Sequence, residues 1–159
     1  MNEARVLKQD QVIPGVRELD HTADIGLSVH ASRLPDLFRR AAAGMVAVVW
    51  DDPVLATGLI ETDSVLRGDS LVRTMALTAD GPDRLLRRWL EELLYEAETE
   101  RVAPLWIAFD ALTETNLRAR VGFGPAGHDP VREVKGVTYH GLNVSRTGEA
   151  WEAKVIFDV

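Results

Sequence analysis

Hydrophobic positions along the chain change period several times, and each change predicts an element. Residues 1 to about 14 are polar and without period and end at Pro14-Gly15. They read as a loose extension over 1–15, ahead of one domain over 16–159. Val16 to Leu19 reads as a short strand. From Asp24 the alternation is strict, with Ile25, Leu27 and Val29 on one face and Asp24, Gly26, Ser28 and His30 on the other. Leu34, Leu37, Phe38, Ala41, Ala42, Met45 and Val48 then fall at helical spacing. This predicts a first helix with Ser32 as N-cap and Pro35 in its first turn, stopping before Asp51-Asp52-Pro53.

Residues 54 to 79 read as two strands, the second with Leu71, Arg73, Met75 and Leu77 on one face. Asp80-Gly81-Pro82-Asp83 opens a second helix, whose apolar stripe is Leu85, Leu86, Trp89, Leu90, Leu93, Leu94 and Ala97. Its charges run against the helix dipole, with Arg84, Arg87 and Arg88 early and Glu91, Glu92, Glu96, Glu98 and Glu100 late. The plain reading is a solvated face; the sharper one is a docking surface for a basic partner. LWIAFDAL and NLRARVGF predict a hairpin turning through Thr113 to Asn116. A loop from Gly124 to Asp129 leads to a β-rich run. A turn at Thr147-Gly148-Glu149 leads to the last strand, with Trp151, Ala153, Val155 and Phe157 on its core face. The order predicts an α+β domain: a mostly antiparallel or mixed sheet packed with two main helices.

The chain has 159 residues, 46% of them hydrophobic and 27% charged, which fits one globular domain with a real core. Cysteine is absent, which excludes disulfides, thiolate metal sites and a cysteine nucleophile. A net charge of −7 argues against a broad nucleic-acid footprint. With no signal-like start and no membrane-length apolar run, the expected location is the cytoplasm. Short motifs mislead. Gly122-Phe123-Gly124-Pro125-Ala126-Gly127 spells a dinucleotide pattern, but Pro130 and a β-rich run follow where a helix is needed. Asn143-Val144-Ser145 spells a glycosylation sequon inside a predicted strand, and no G-x-S-x-G elbow is present.

Two segments concentrate chemistry. Glu18 to Gly26 holds three carboxylates, those of Glu18, Asp20 and Asp24, together with the imidazole of His21 and the hydroxyl of Thr22. The run from Glu133 to Val159 holds Lys135, Thr138, Tyr139 and His140, and closes on Asp158 and Val159. Alternation puts Asp24 and Asp158 on the faces opposite the core sets. If the two strands are neighbours, these carboxylates and that of Val159 converge, and crowded anions call for a cation. Hard oxygen donors favour Ca²⁺, Mg²⁺ or Mn²⁺ over zinc. The bland reading has Asp20 or Asp24 capping a turn, Asp158 solvated and Lys135 paired with a neighbouring acid.

Four blocks in order resemble the archease family: Glu18-Leu19-Asp20-His21-Thr22-Ala23-Asp24-Ile25-Gly26, Trp89-Leu90-Glu91-Glu92-Leu93-Leu94-Tyr95, Glu133-Val134-Lys135-Gly136-Val137-Thr138-Tyr139-His140-Gly141-Leu142, and Ala153-Lys154-Val155-Ile156-Phe157-Asp158-Val159. The resemblance implies a small acidic protein that activates an RtcB-type RNA ligase in tRNA splicing and RNA repair. It implies promotion of the ligase–GMP intermediate and of multiple turnover, with no ligase chemistry of its own and RNA contacted only through the ligase. It also implies a divalent cation, typically calcium, held by Asp24, Asp158 and Val159. Asp20 and Lys135 stand at positions linked to activation, and His140 lies in the matching motif. Gly136 departs from the family's usual alanine, and Val29 to Leu34 lacks its common glycine turn. Two rival functions remain: a stand-alone metal-dependent phosphoesterase using Asp24, Asp158, His21 and His140, and a general chaperone of RNA-processing proteins.

Overall fold

The computed structural model describes residues 13–19, 24–61 and 71–159. Its elements are β1 (Val16–Leu19), β2 (Ile25–Ala31), α1 (Leu34–Trp50), α2 (Pro53–Gly58), β3 (Leu71–Thr78), α3 (Pro82–Glu100), β4 (Ala103–Leu112), β5 (Asn116–Gly124), β6 (Gly136–Val137), β7 (Asn143–Thr147) and β8 (Ala150–Asp158). The fold is α+β, and every described strand pairing is antiparallel. The strands form two sheets. One runs β1-β2-β8-β6, with β7 on the same edge of β8 as β6, and the other runs β3-β5-β4.

The first sheet is organised by β2 and β8, which meet over seven pairs from Ile25↔Phe157 to Ala31↔Trp151. Ile25, Leu27, Val29 and Ala31 are buried with Trp151, Ala153, Val155 and Phe157. Those sets face α1, whose residues from Ala41 to Trp50 are all buried. The run AAAGMVAVV is apolar on every side, as a helix enclosed between sheets requires. Gly44 lets α1 approach closely, since a Cβ there would stand 2.6 Å from Leu27 Cδ1. Trp89 of α3 is fully buried, donates its indole N–H to the Phe38 carbonyl (3.1 Å) and lies 5.3 Å from the Phe109 ring. Arg39, the one buried charged residue among those described, donates to the Ile107 carbonyl and lies over Phe109. Desolvation pulls its pKa below the usual arginine value.

Four sequence expectations need correction. Residues 53–58 are a short helix, not a strand. Asp52 caps it by accepting from the Leu55 N–H (3.0 Å), and Pro53 suits its first turn. The N-cap of α1 is Arg33, not Ser32, and no side chain caps it. The strands split into two sheets rather than one. The β-rich run after Pro130 keeps only β6 and β7. Ile13 is also fully buried, and the Gly15 carbonyl accepts from the His30 N–H, so the packed chain reaches back beyond Val16. Asp20, His21 and the first part of the stretch leading to β3 (62–70) lie outside the described residues.

Trp89→Ala should destabilise the protein by roughly 3–5 kcal/mol, because it opens a cavity between α1, α3 and β4. Chemical denaturation checks this; a loss below about 1 kcal/mol would contradict a core pinned at Trp89.

Candidate functional site

The β2–β8 register sets the geometry. Its last pair is Ile25↔Phe157. One residue further, half-buried Asp24 precedes β2 and exposed Asp158 closes β8. The two come from opposite ends of the chain to the same end of two hydrogen-bonded strands. Val159 packs, partly buried, against the core.

On its other edge β8 meets β6, with Gly136 opposite Asp158 and Val137 opposite Phe157. The Lys135 N–H donates to the Asp158 carbonyl (2.7 Å), and the Thr138 N–H to that of Ile156 (3.0 Å). Lys135 is thus an exposed neighbour of the tail. His140 is exposed in the turn that follows, its N–H on Thr138 Oγ1 (3.1 Å). Gly141, at φ 76°, lies against Ile156, where any larger residue would meet Ile156 Cδ1.

Two aspartates thus stand level across a strand pair, and Lys135 is joined to the second through its main chain. Among the described residues, no group of three His, Cys, Asp or Glu side chains is placed to hold a metal ion.

The polar face of α3 does more than meet solvent. Arg87 donates to the Val137 carbonyl (2.7 Å), pairs with Glu91 (2.7 Å) and stacks 3.9 Å from the centre of the Tyr139 ring. Arg88 donates to the Thr78 carbonyl, and Arg73 bridges Glu96 and Glu100. Magnitudes rank the Arg87 contacts. A charge-assisted bond to a half-buried carbonyl contributes about 1.5–3 kcal/mol, an i,i+4 surface pair only about 0.3–0.5. Periodicity could not find this role, because the acceptor lies in a segment distant in sequence.

A second polar cluster lies where α1 and α3 end. A cavity of about 520 Å³ opens there between Trp50, Leu94, Ala97 and Val134, rimmed by Glu98 and Arg101. The Val131 and Arg132 N–H groups cap the Val49 carbonyl, and the Arg132 guanidinium donates to the Val48 carbonyl (2.9 Å). His128 places Nε2 on Asp52 (2.9 Å) and Nδ1 on the Asp129 carbonyl (3.1 Å). With an acceptor at each nitrogen, only the imidazolium donates to both. The Asp52 hydrogen bond first, then the Asp129 carbonyl, raises the His128 pKa. The His128 hydrogen bond, then the Leu55 N–H, lowers that of Asp52.

The fold defines first a class: a single-domain α+β protein with two long helices against antiparallel sheets. The model of the archease protein family (MTH1598/TM1083) matches residues 17–159. The chain belongs to the archease family. It is 28% identical over 148 residues to protein archease of Methanosarcina acetivorans, covering 89% of this chain and 93% of the relative. It is 29% identical over 148 residues to that of Archaeoglobus fulgidus, covering 90% and 98%. The solution structure of Methanobacterium thermoautotrophicum protein 1598 superposes with a TM-score of 0.66 at 27% identity, covering 92% of this chain and all of that one. The crystal structure of a Thermotoga maritima protein described as "an archease, possible chaperone" matches in fold, with a TM-score of 0.58 at 17% identity over 90% of this chain and 96% of that one. Among the described residues no helix is long and apolar enough to cross a membrane.

The Asp52–His128 contact makes a pH prediction. His128, with its pKa raised, contributes below the ordinary imidazole value and loses that contribution as pH rises through the folded one. Asp52, with its pKa lowered, contributes above the ordinary carboxylate value and loses it as pH falls through the folded one. The pair should therefore hold best between about pH 4 and 6.5. Asp52→Asn should lower the His128 titration midpoint followed by NMR; an unchanged midpoint would refute the contact.

Proposed function

We propose that this chain is an activating protein partner of an RtcB-type RNA ligase, acting in tRNA splicing and RNA repair, and that it catalyses no reaction alone. Family membership supports the reading, and the β2–β8 register that levels Asp24 with Asp158 carries it to particular residues. The net charge of −7 suits fast, salt-sensitive docking on a basic RNA-binding enzyme. RNA is then met only through that enzyme, and the expected compartment is the cytoplasm.

In this proposal Asp24, Asp158 and the Val159 carboxylate would hold a divalent cation, Ca²⁺ first, with Mg²⁺ or Mn²⁺ as alternatives. Bound there, a cation would supply positive charge to phosphate oxygens. Asp24 is fixed by its place at the mouth of β2, and Asp158 by its place on β8. Lys135 offers a mobile ammonium to a phosphate oxygen during guanylyl transfer. Asp20, three residues into the same motif, and His140, on the turn beyond β6, are assigned supporting contacts with the ligase.

The name of the Thermotoga maritima relative, which says only that it is a possible chaperone, suggests a second reading, a chaperone of other proteins. One assay separates the two. Purified ligase is guanylylated with and without this protein, using the natural sequence, Asp24→Ala and Asp158→Ala. Each variant should lose stimulation by about tenfold or more while its thermal midpoint stays close to that of the natural protein. Full stimulation by both variants would reject the carboxylate centre. No stimulation by the natural protein, with aggregation of the ligase suppressed, would favour the chaperone.

A further inference from the structure

The tail carboxylates need a scaffold, and the fold leaves little chain to provide one. The β2–β8 ladder stops at Phe157, so the ladder partner of Asp158 is Gly136 of β6. That strand has only two residues, and one is a glycine with no neighbour within 4 Å of where a Cβ would stand. A strand so short, with so little side chain to pack, is weak by itself. What ties it comes from α3. Arg87 donates to the carbonyl of Val137, the other β6 residue, and its guanidinium covers the ring of exposed Tyr139 two residues on. Arg87 is itself steadied by Glu91 one turn along the helix. A chain of contacts therefore runs from the core-packed helix to Asp158 at the end of β8.

We propose that Arg87 is a positioning residue for the carboxylate centre: by gripping the Val137 carbonyl and the Tyr139 ring it fixes β6, and through β6 the main chain of Asp158 and the approach of Lys135. The proposal rests on the cation-binding reading above and deepens it. It assigns work to a helix face that sequence patterning reads as solvated. It also explains why an arginine stands in the first half of α3, where the helix dipole disfavours it. The fork of the guanidinium, which a single ammonium does not reproduce, reaches a carbonyl, a carboxylate and a ring at once.

The test uses the whole protein and has two readouts. The first is amide hydrogen exchange by NMR at Lys135 and Thr138, whose N–H groups bond to Asp158 and Ile156. Arg87→Ala should speed exchange at both by about tenfold, leaving Leu27 and Val29 in the β2–β8 ladder unchanged. Arg87→Lys should recover part of the protection, Tyr139→Ala should lose part of it, and Glu91→Ala should change little. The second readout is Mn²⁺ affinity by calorimetry, which Arg87→Ala should weaken about tenfold at a temperature where the variant remains folded, as loss of a supporting contact does. Unchanged exchange at Lys135 and Thr138 overturns the proposal. So does unchanged Mn²⁺ affinity in Arg87→Ala when Asp158→Ala abolishes binding. If the natural protein binds no Mn²⁺, it is the cation reading that fails, and the exchange readout alone then decides whether Arg87 holds the tail. Should Arg87→Ala not fold, Tyr139→Ala and Arg87→Lys carry the same comparison.

Discussion

The pairing of β2 with β8 is the constraint on which the rest of the structure depends. It closes the chain on itself, setting a strand from near the start against the last strand. It also creates the inner face on which α1 lies. Side chains alternate with a period of two, so a slip of one residue would turn Ile25, Leu27 and Val29 outward. The same slip would move Asp24 out of line with Asp158. Hydrophobic burial therefore specifies the register, and the register brings the two aspartates level as a consequence. Each fully buried Leu, Val or Phe in that interface contributes about 1.5–3 kcal/mol. Summed along the ladder, that burial outweighs a surface ion pair of about 0–1 kcal/mol, and the carboxylates follow where the core puts them.

Tertiary contacts explain the odd charge order of α3. A dipole penalty of about 0.3–1 kcal/mol per misplaced charge is small enough for a single good contact to offset. Arg87 and Arg88 meet the carbonyls of Val137 and Thr78, and Glu96 and Glu100 meet Arg73. These contacts link α3 to β6, which borders the tail, and to β3, in the other sheet. The helix thus connects the two sheets by its polar face as well as by Trp89. A helix wheel shows which residues point away from the core; it does not show that a strand edge lies within their reach.

Legibility in the sequence followed the range of the interaction. Local period was enough for β2, α1, α3 and the β4–β5 hairpin, because each is set by its own pattern of burial. Residues 53–58 were misread because a short apolar run fits strand and helix equally. The Asp52-Pro53 start, a capping carboxylate before an N-terminal proline, held the deciding information. The division into two sheets was not legible, since strand neighbours are chosen by long-range packing. The same holds at the site. Alternation puts Asp24 and Asp158 on comparable faces, but only the β2–β8 pairing makes them neighbours. Lys135 is recognisable from its motif, whereas Arg87 carries no local signal at all. Asp20 and His21 belong to the same opening motif and lie outside the described residues.

The most direct measurement is an anomalous-scattering map from crystals of the protein grown with Mn²⁺. The account predicts one strong peak at the end of the β2–β8 pair, within bonding distance of carboxylate oxygens from both Asp24 and Asp158. A peak bound elsewhere, or side chains of the two aspartates turned apart with no ion between them at saturating Mn²⁺, would contradict it.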